Sequence, residues 1–503
     1  MRKFRRWMFG LVAALTLVSA SGCSVASQPR ELDPNVDAAF AKFYTQPIDW
    51  NRCDKFDCAD VMVPMNWNDP EGEVITISVI RSKATGANPI GDLLLNPGGP
   101  GSSGVNFVRD NLEYIGTEAL RENYNLIGFD PRGTGDSSPV TCLDDAGLDE
   151  FLYSQSPYPN DEAKDLEYWA GLTAKFGEAC IKNTGEVIKY LDTQSAAKDM
   201  DVIRSYLGQD KLDYVGFSYG TLLGATYASI FPERVDRFVL DGAIDPRVSD
   251  EQQSLNQLGG FELAIGNYAS WCLEQANCPF SGNKANVLKQ IRAWFENLET
   301  NPLPTQDGRE LTISAGITGV ILAMYSDDYW PILTDAFNEV KTGDATTLMR
   351  MADFYNDRGE DGRYSTNTLE ANIVISCLDA QASTDPKDVA TQNAKAKKIG
   401  TVFGDYWQNG YMSCTWVDFG PVEPLASFAA EGAPSILVVG TTGDPATPYE
   451  QAVALAHEVL ASGFLLTFEG EGHTAYGRSN ACVDQTVDDF LLEGKLPESE
   501  PTC

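Results

Sequence analysis

The sequence predicts an α/β architecture, a mostly parallel sheet with an inserted helical cap. Three observations carry that reading. Continuous apolar runs alternate with helix-spaced patterns over much of the chain; such runs suit strands buried on both faces of a sheet. The alternation gives way to a long helical block between about Val248 and Phe428 and then resumes. One of the runs, Leu212–Phe217, leads through a Gly-x-Ser-x-Gly turn straight into a helical pattern at Tyr219–Ile230.

The elements follow in order. Residues 1–22 read as a secretion leader: Arg2, Lys3, Arg5 and Arg6 precede an apolar run from Trp7 to Val18. At roughly a dozen residues that run is short for a membrane span. Ala20-Ser21-Gly22-Cys23 resembles a bacterial lipobox, which makes Cys23 the candidate lipidated first residue. An ordinary leader cleaved near Ala20 is the competing reading, and Arg5-Arg6 hints at a twin-arginine signal with ill-fitting flanks. Residues 23–47 form a polar tether. Residues 48–247 hold the first part of the core, with strand patterns at Val61–Val63, Val74–Arg81, Gly91–Asn96, Tyr124–Phe129, Leu212–Phe217 and Arg237–Leu240. Glu162–Asn183 is a helical excursion within it. The cap spans 248–428, with helix spacing at Gln257–Gln275, Lys284–Glu299 and Tyr329–Tyr355. Residues 429–503 complete the core through Ser435–Gly440 and Phe464–Phe468.

Charge and cysteine usage narrow the function class. A formal charge of −35, or −39 once the four basic leader residues are removed, keeps an exported protein soluble and repels nucleic acid. Eleven cysteines less Cys23 leave an even number, as an oxidising compartment favours. Ten cysteines allow hundreds of connectivities. Closeness in sequence selects Cys53–Cys58, Cys142–Cys180, Cys272–Cys278, Cys377–Cys414 and Cys482–Cys503. With two histidines and no Cys-x-x-Cys pair, a metal site is disfavoured, and no cofactor is expected.

The chemistry centres on Ser218. A strand, a turn flanked by small residues and a helix form the context in which a serine is presented as a nucleophile; the plain alternative is an idle serine in a tight turn. A serine needs a base. His457 lies in a helical stretch, whereas His473 follows the last strand in Gly470-Glu471-Gly472-His473, so His473 is the candidate base. Asp444, after the strand Ser435–Gly440, is the candidate orienting carboxylate, in the chain order serine, aspartate, histidine. The oxyanion donors are expected to be the N–H of Tyr219 and that of Gly99, with Gly98 next, from the loop Asn96-Pro97-Gly98-Gly99-Pro100-Gly101.

Five motifs together resemble the α/β-hydrolase-fold exopeptidases, in particular the secreted bacterial tripeptidyl aminopeptidases and, more distantly, the proline iminopeptidases. They are Asn96-Pro-Gly-Gly-Pro-Gly-Ser-Ser-Gly104, Gly128-Phe-Asp-Pro-Arg-Gly-Thr-Gly-Asp-Ser137, Gly216-Phe-Ser-Tyr-Gly-Thr221, Leu240-Asp-Gly-Ala-Ile-Asp-Pro246 and Gly443-Asp-Pro-Ala-Thr-Pro448. Pro97, where iminopeptidases usually carry histidine, sides with the tripeptidyl group. The resemblance implies a cap over the sheet, a Ser-His-Asp acyl-enzyme mechanism, and peptide substrates with a free N-terminus. Measuring from that N-terminus needs a carboxylate in the cap, for which Asp379 and Glu262 are the candidates. An envelope esterase or lipase with the same triad, anchored to the membrane through Cys23, is the alternative; a binding lipoprotein without catalysis is a third.

Overall fold

The computed structural model describes residues 31–380, 386–407, 414 and 416–503. The leader and Cys23 lie outside the described residues. Nine strands form one sheet: β1 Asn51–Cys53, β2 Phe56–Pro64, β3 Val74–Ser82, β4 Gly91–Asn96, β5 Tyr124–Phe129, β6 Leu212–Phe217, β7 Val235–Asp241, β10 Ile436–Gly443 and β11 Gly463–Glu471. A separate small hairpin pairs β8, Leu303–Pro304, with β9, Glu310–Leu311.

The strand order is β1-β2-β3-β5-β4-β6-β7-β10-β11. The three edge strands β1–β3 are antiparallel, β3 meets β5 antiparallel, and every pairing from β5 to β11 is parallel. The order reverses at β4, which has β5 on one side and β6 on the other. In an open α/β sheet, the crevice outside the carboxyl ends of the strands at such a switch point is where ligands bind.

Alternate residues of the parallel strands enter different cores, which is why their sequence runs are apolar throughout. Tyr214, Phe238, Leu240, Ile436 and Val438 pack into one cluster with Tyr206 and Tyr227. Val215, Val239, Leu437 and Val439 face the other, with Val105, Val108, Val487 and Leu491. A third cluster, away from the sheet, is built by helices inserted between β7 and β10, through Leu258, Phe261, Phe295, Val320, Trp330 and Leu348.

Several local expectations shift. The helix pattern from Gln257 begins earlier, at Asp250, where Ser249 accepts from the Gln252 N–H as an N-cap. The pattern over Tyr329–Tyr355 divides into Trp330–Val340 and Thr346–Tyr355, broken at Gly343, whose φ of +86° a helix cannot hold. Within the range expected for the cap, the helix Thr368–Asp379 buries Val374, Ile375 and Leu378 in the sheet-side cluster and not in the cap's own core. The five expected disulfides are all formed.

One buried ion pair pins the turn after β5 to the helix Thr193–Leu207. The Arg132 and Asp199 side chains are 0% and 1% exposed, with Nε and Nη2 each 2.7 Å from a carboxylate oxygen. The remaining guanidinium protons reach the carbonyls of Pro64, Met65 and Tyr190. Removing one partner of a buried pair strands the other charge at a cost of about 3–5 kcal/mol. Asp199→Ala should therefore lower the unfolding free energy in urea by that amount; a loss below about 1 kcal/mol would contradict this account.

Candidate active site

Ser218 stands at the end of β6 with φ 55° and ψ −122°, a backbone conformation that non-glycine residues rarely adopt. The turn is held on both sides. The Ser218 N–H donates to the Asp241 carbonyl at 2.8 Å, and the Ser218 carbonyl accepts from the Thr221 hydroxyl at 2.6 Å. Its neighbours must be small: a Cβ on Gly216 would lie 2.3 Å from the Gly220 carbonyl oxygen. Strain at a strand–helix corner, kept by surrounding bonds, is the mark of a presented side chain.

The loop after β4 lies against this turn. Gly98 has φ +99°, and a Cβ there would sit 2.9 Å from Ser218 Cβ and 3.3 Å from the Tyr219 nitrogen. Asp130 braces the loop, accepting from Ser103 Oγ at 2.5 Å and from the Val105 N–H at 3.0 Å. Tyr219 is the first residue of the helix Tyr219–Ile230, so its N–H has no acceptor within the helix and points from the positive end of the dipole. Gly99 and Tyr219 both line a cavity of about 640 Å³.

His473 lies in the loop just beyond β11. Its Nδ1 is 2.9 Å from both oxygens of Asp444, which is 1% exposed and also accepts from the N–H groups of Ala446 and Thr447 at 2.9 Å. A carboxylate at Nδ1 selects the tautomer that leaves Nε2 as acceptor. His473 Cε1 would lie 3.1 Å from a Cβ on Gly242, the residue after Asp241. The imidazole thus lies over the end of β7, the strand whose last carbonyl holds the Ser218 amide. His457, by contrast, is half exposed and pairs with Glu500 at 2.9 Å.

The two expected N-terminus carboxylates separate. Asp379 lines the cavity, accepting from the Thr193 N–H at 3.0 Å and hydroxyl at 2.6 Å; burial pushes its pKa up to about 7. The Thr193 hydroxyl in turn shares a 2.5 Å hydrogen bond with the Tyr219 phenol. Glu262 is absent from the cavity wall. Its carboxylate accepts from the Val402 and Phe403 N–H groups at 2.8 and 2.7 Å, satisfying the turn after the helix Pro386–Ile399.

Residues 400–503, which carry Asp444 and His473, match the family model described as TAP-like protein. Serine protease Hip1 of Mycobacterium tuberculosis H37Rv is 33% identical over 521 residues, covering 99% of this chain and 97% of that one. The chain belongs to the tripeptidyl-aminopeptidase-like serine hydrolases of the α/β-hydrolase fold. A second member, the tripeptidyl aminopeptidase of Streptomyces lividans, is 30% identical over 90% of this chain and 85% of its own. A third, named carboxylesterase B in M. tuberculosis H37Rv, is 35% identical over 90% and 89%. Among the described residues of this serine hydrolase, no helix is long and apolar enough to cross a membrane.

Sequence reasoning missed several supporting residues. Asp241 accepts from the N–H groups of Ala475 and Tyr476 at 2.8–3.1 Å and so holds the histidine loop; burial raises its pKa to about 6. A charge closing an apolar strand and a place in the motif Leu240–Pro246 were its signals, and neither names this role. Thr193 gave none, and neither did Tyr325, whose carbonyl accepts the His473 N–H at 2.9 Å.

Gly98 offers a test that leaves every chemical group in place. A methyl there would clash with Phe217 O, 2.5 Å away, and displace Ser218. Gly98→Ala should lower kcat by at least about 100-fold, the scale at which misplacing reacting groups by an ångström acts. Activity near wild type in the folded variant would show that the loop does not position the nucleophile.

Proposed function

We propose that this chain is a serine exopeptidase that removes short N-terminal fragments, most simply tripeptides, through an acyl-enzyme. His473 Nε2 takes the proton of Ser218 Oγ as that oxygen attacks the scissile carbonyl. The N–H groups of Tyr219 and Gly99 receive the developing oxyanion. Asp444 holds the imidazole and stabilises its charged form. His473 then passes the proton to the leaving amine as the C–N bond breaks, and water repeats the sequence to free the fragment and restore Ser218. The helical segment within 248–428 serves as the cap that walls the cavity. Export with lipid attachment at Cys23 would set the enzyme on the outer face of the membrane.

The observation that carries this reading is the half-buried Asp379 carboxylate in the cavity wall, linked through Thr193 to the phenol of Tyr219. A carboxylate there suits a substrate ammonium group. The link runs through one tyrosine side chain and two hydrogen bonds, and an extended tripeptide spans about 10 Å. The carboxylesterase name of one relative favours a second reading, ester hydrolysis by the same groups.

A chromogenic panel separates them: free and N-acetylated mono-, di- and tripeptides beside short and long acyl esters, each with a Ser218→Ala control. Cleavage of free tripeptides that is lost on acetylation, and lost in Ser218→Ala, is expected. Turnover of esters alone would give the assignment to the esterase reading.

The same carboxylate makes a pH prediction. With a free-enzyme pKa of about 7, Asp379 is largely neutral below that pH and cannot pair with an ammonium; above it the pair forms. The substrate amine loses its own proton near pH 8. KM for a free tripeptide should therefore fall as pH rises through 7 and rise again beyond about 8. Asp379→Asn should raise KM and flatten the acid limb, with titrations elsewhere in the site common to both proteins. An unchanged acid limb in Asp379→Asn would assign N-terminus recognition to another group.

A further inference from the structure

The cavity accounts for one side of the reacting bond only. It lies beside Gly99 and Tyr219, and neither His473 nor the residues packed on its ring belong to its wall. The atom that must receive a proton from His473 is the leaving amine, so the residue carrying that amine lies on the histidine side. There the structure presents a row of three rings. The Tyr325 ring stands edge-on to the imidazole, with centroids 5.5 Å apart and an interplanar angle of 86°. The Tyr355 ring follows at 5.9 Å from Tyr325, with the two phenol oxygens 3.4 Å apart.

Tyr325 is fixed: its carbonyl holds the His473 N–H, and its ring also packs on Phe261 of the cap core. Tyr355 closes the helix Thr346–Tyr355 and is 42% exposed, beside Phe354 at 65%. A large aromatic left open to solvent next to a catalytic base is an apolar surface without an internal partner. Aromatic and long apolar side chains are what such a ring face takes up best, in stacked or edge-to-face contact.

We propose that Tyr325 and Tyr355 form the subsite for the first residue of the leaving peptide, and that it favours an aromatic or large apolar side chain at that position. This rests on the exopeptidase reading: the acyl fragment fills the cavity, and the departing chain runs past His473 onto the two tyrosines. Tyr325 supplies the inner ring and Tyr355 the outer, solvent-facing one. Specificity then has two independent sources. The cavity reads the fragment that is removed, and the tyrosine row reads what remains.

The test is a tetrapeptide amide series with one N-terminal tripeptide and Gly, Ala, Leu or Phe in fourth place, with release of the tripeptide followed by mass spectrometry. The wild type should cleave the Phe and Leu members with kcat/KM about five- to tenfold above the Gly member, the range an aromatic contact supplies. Tyr355→Ala should reduce that ratio to below about twofold, whereas Tyr355→Phe, which keeps the ring, should retain it. Cleavage of the Gly member with no preference at the fourth position would overturn the subsite and leave the exopeptidase reading intact. A ratio that Tyr355→Ala does not move, or that Tyr355→Phe abolishes equally, would also overturn it. Failure to cleave any member, Gly included, would overturn both together.

Discussion

The candidate active site depends on Asp241, which holds two separate loops with two parts of one residue. Its backbone carbonyl takes the Ser218 N–H at the strained corner, and its carboxylate takes the Ala475 and Tyr476 N–H groups of the histidine loop. Serine and histidine are more than 250 positions apart in the chain, so no local propensity sets their relation. A strand end between them does. Burial raises the pKa of this carboxyl to about 6, and the N–H contacts at 2.8–3.1 Å, which favour the charged form, oppose that rise. An asparagine oxygen at the Oδ2 position could accept both N–H groups, but its NH2 would then stand where Oδ1 lies 3.1 Å from the Ala475 nitrogen, a donor facing a donor.

The same economy appears at the cavity. Tyr219 carries the N–H proposed for the oxyanion on its main chain, and its phenol reaches Asp379 through Thr193. The proposed donor and the carboxylate are thereby parts of one hydrogen-bonded unit. A shift of the helix Tyr219–Ile230 would move that N–H and disturb the carboxylate's bonds together. The helix Thr368–Asp379 completes the arrangement because it belongs to the sheet-side core, buried through Val374, Ile375 and Leu378. Had it packed with the cap cluster, the carboxylate would have been positioned by a different body from the one that holds the nucleophile.

Much of this was legible in the sequence, for reasons that differ from residue to residue. The parallel strands announce themselves because both faces are buried, so Leu93–Leu95 and Val438–Val439 read as unbroken apolar runs. The candidate set Ser218, Asp444 and His473 follows from the shortage of histidine and the order of three turns after three strands, and the structure brings His473 Nδ1 to 2.9 Å from Asp444. The disulfides follow from closeness along the chain. Glu262 and Asp379 could not be told apart, since both are acids on helices; what separates them is which backbone N–H groups lie nearby, a tertiary fact. Tyr325 was invisible for a stronger reason. It acts on His473 through a carbonyl that every residue possesses, and its ring meets the imidazole across nearly 150 positions of chain.

The contacts of the helical insertion argue against a freely opening lid. The Tyr325 carbonyl holds the His473 N–H at 2.9 Å, Asn267 donates to Glu471 at the end of β11 at 2.9 Å, and Gln257 donates to the Ala446 carbonyl in the Asp444 loop at 3.2 Å. All three link inserted helices to the two loops that carry the acid and the base. Swinging the insertion away as a rigid body would break a bond to the histidine itself, and the base would lose its register with Asp444. Entry of substrate with the site intact therefore has to use movement within the insertion or an approach along its edge, and the exposed Tyr355 stands at such an edge, one ring from the imidazole.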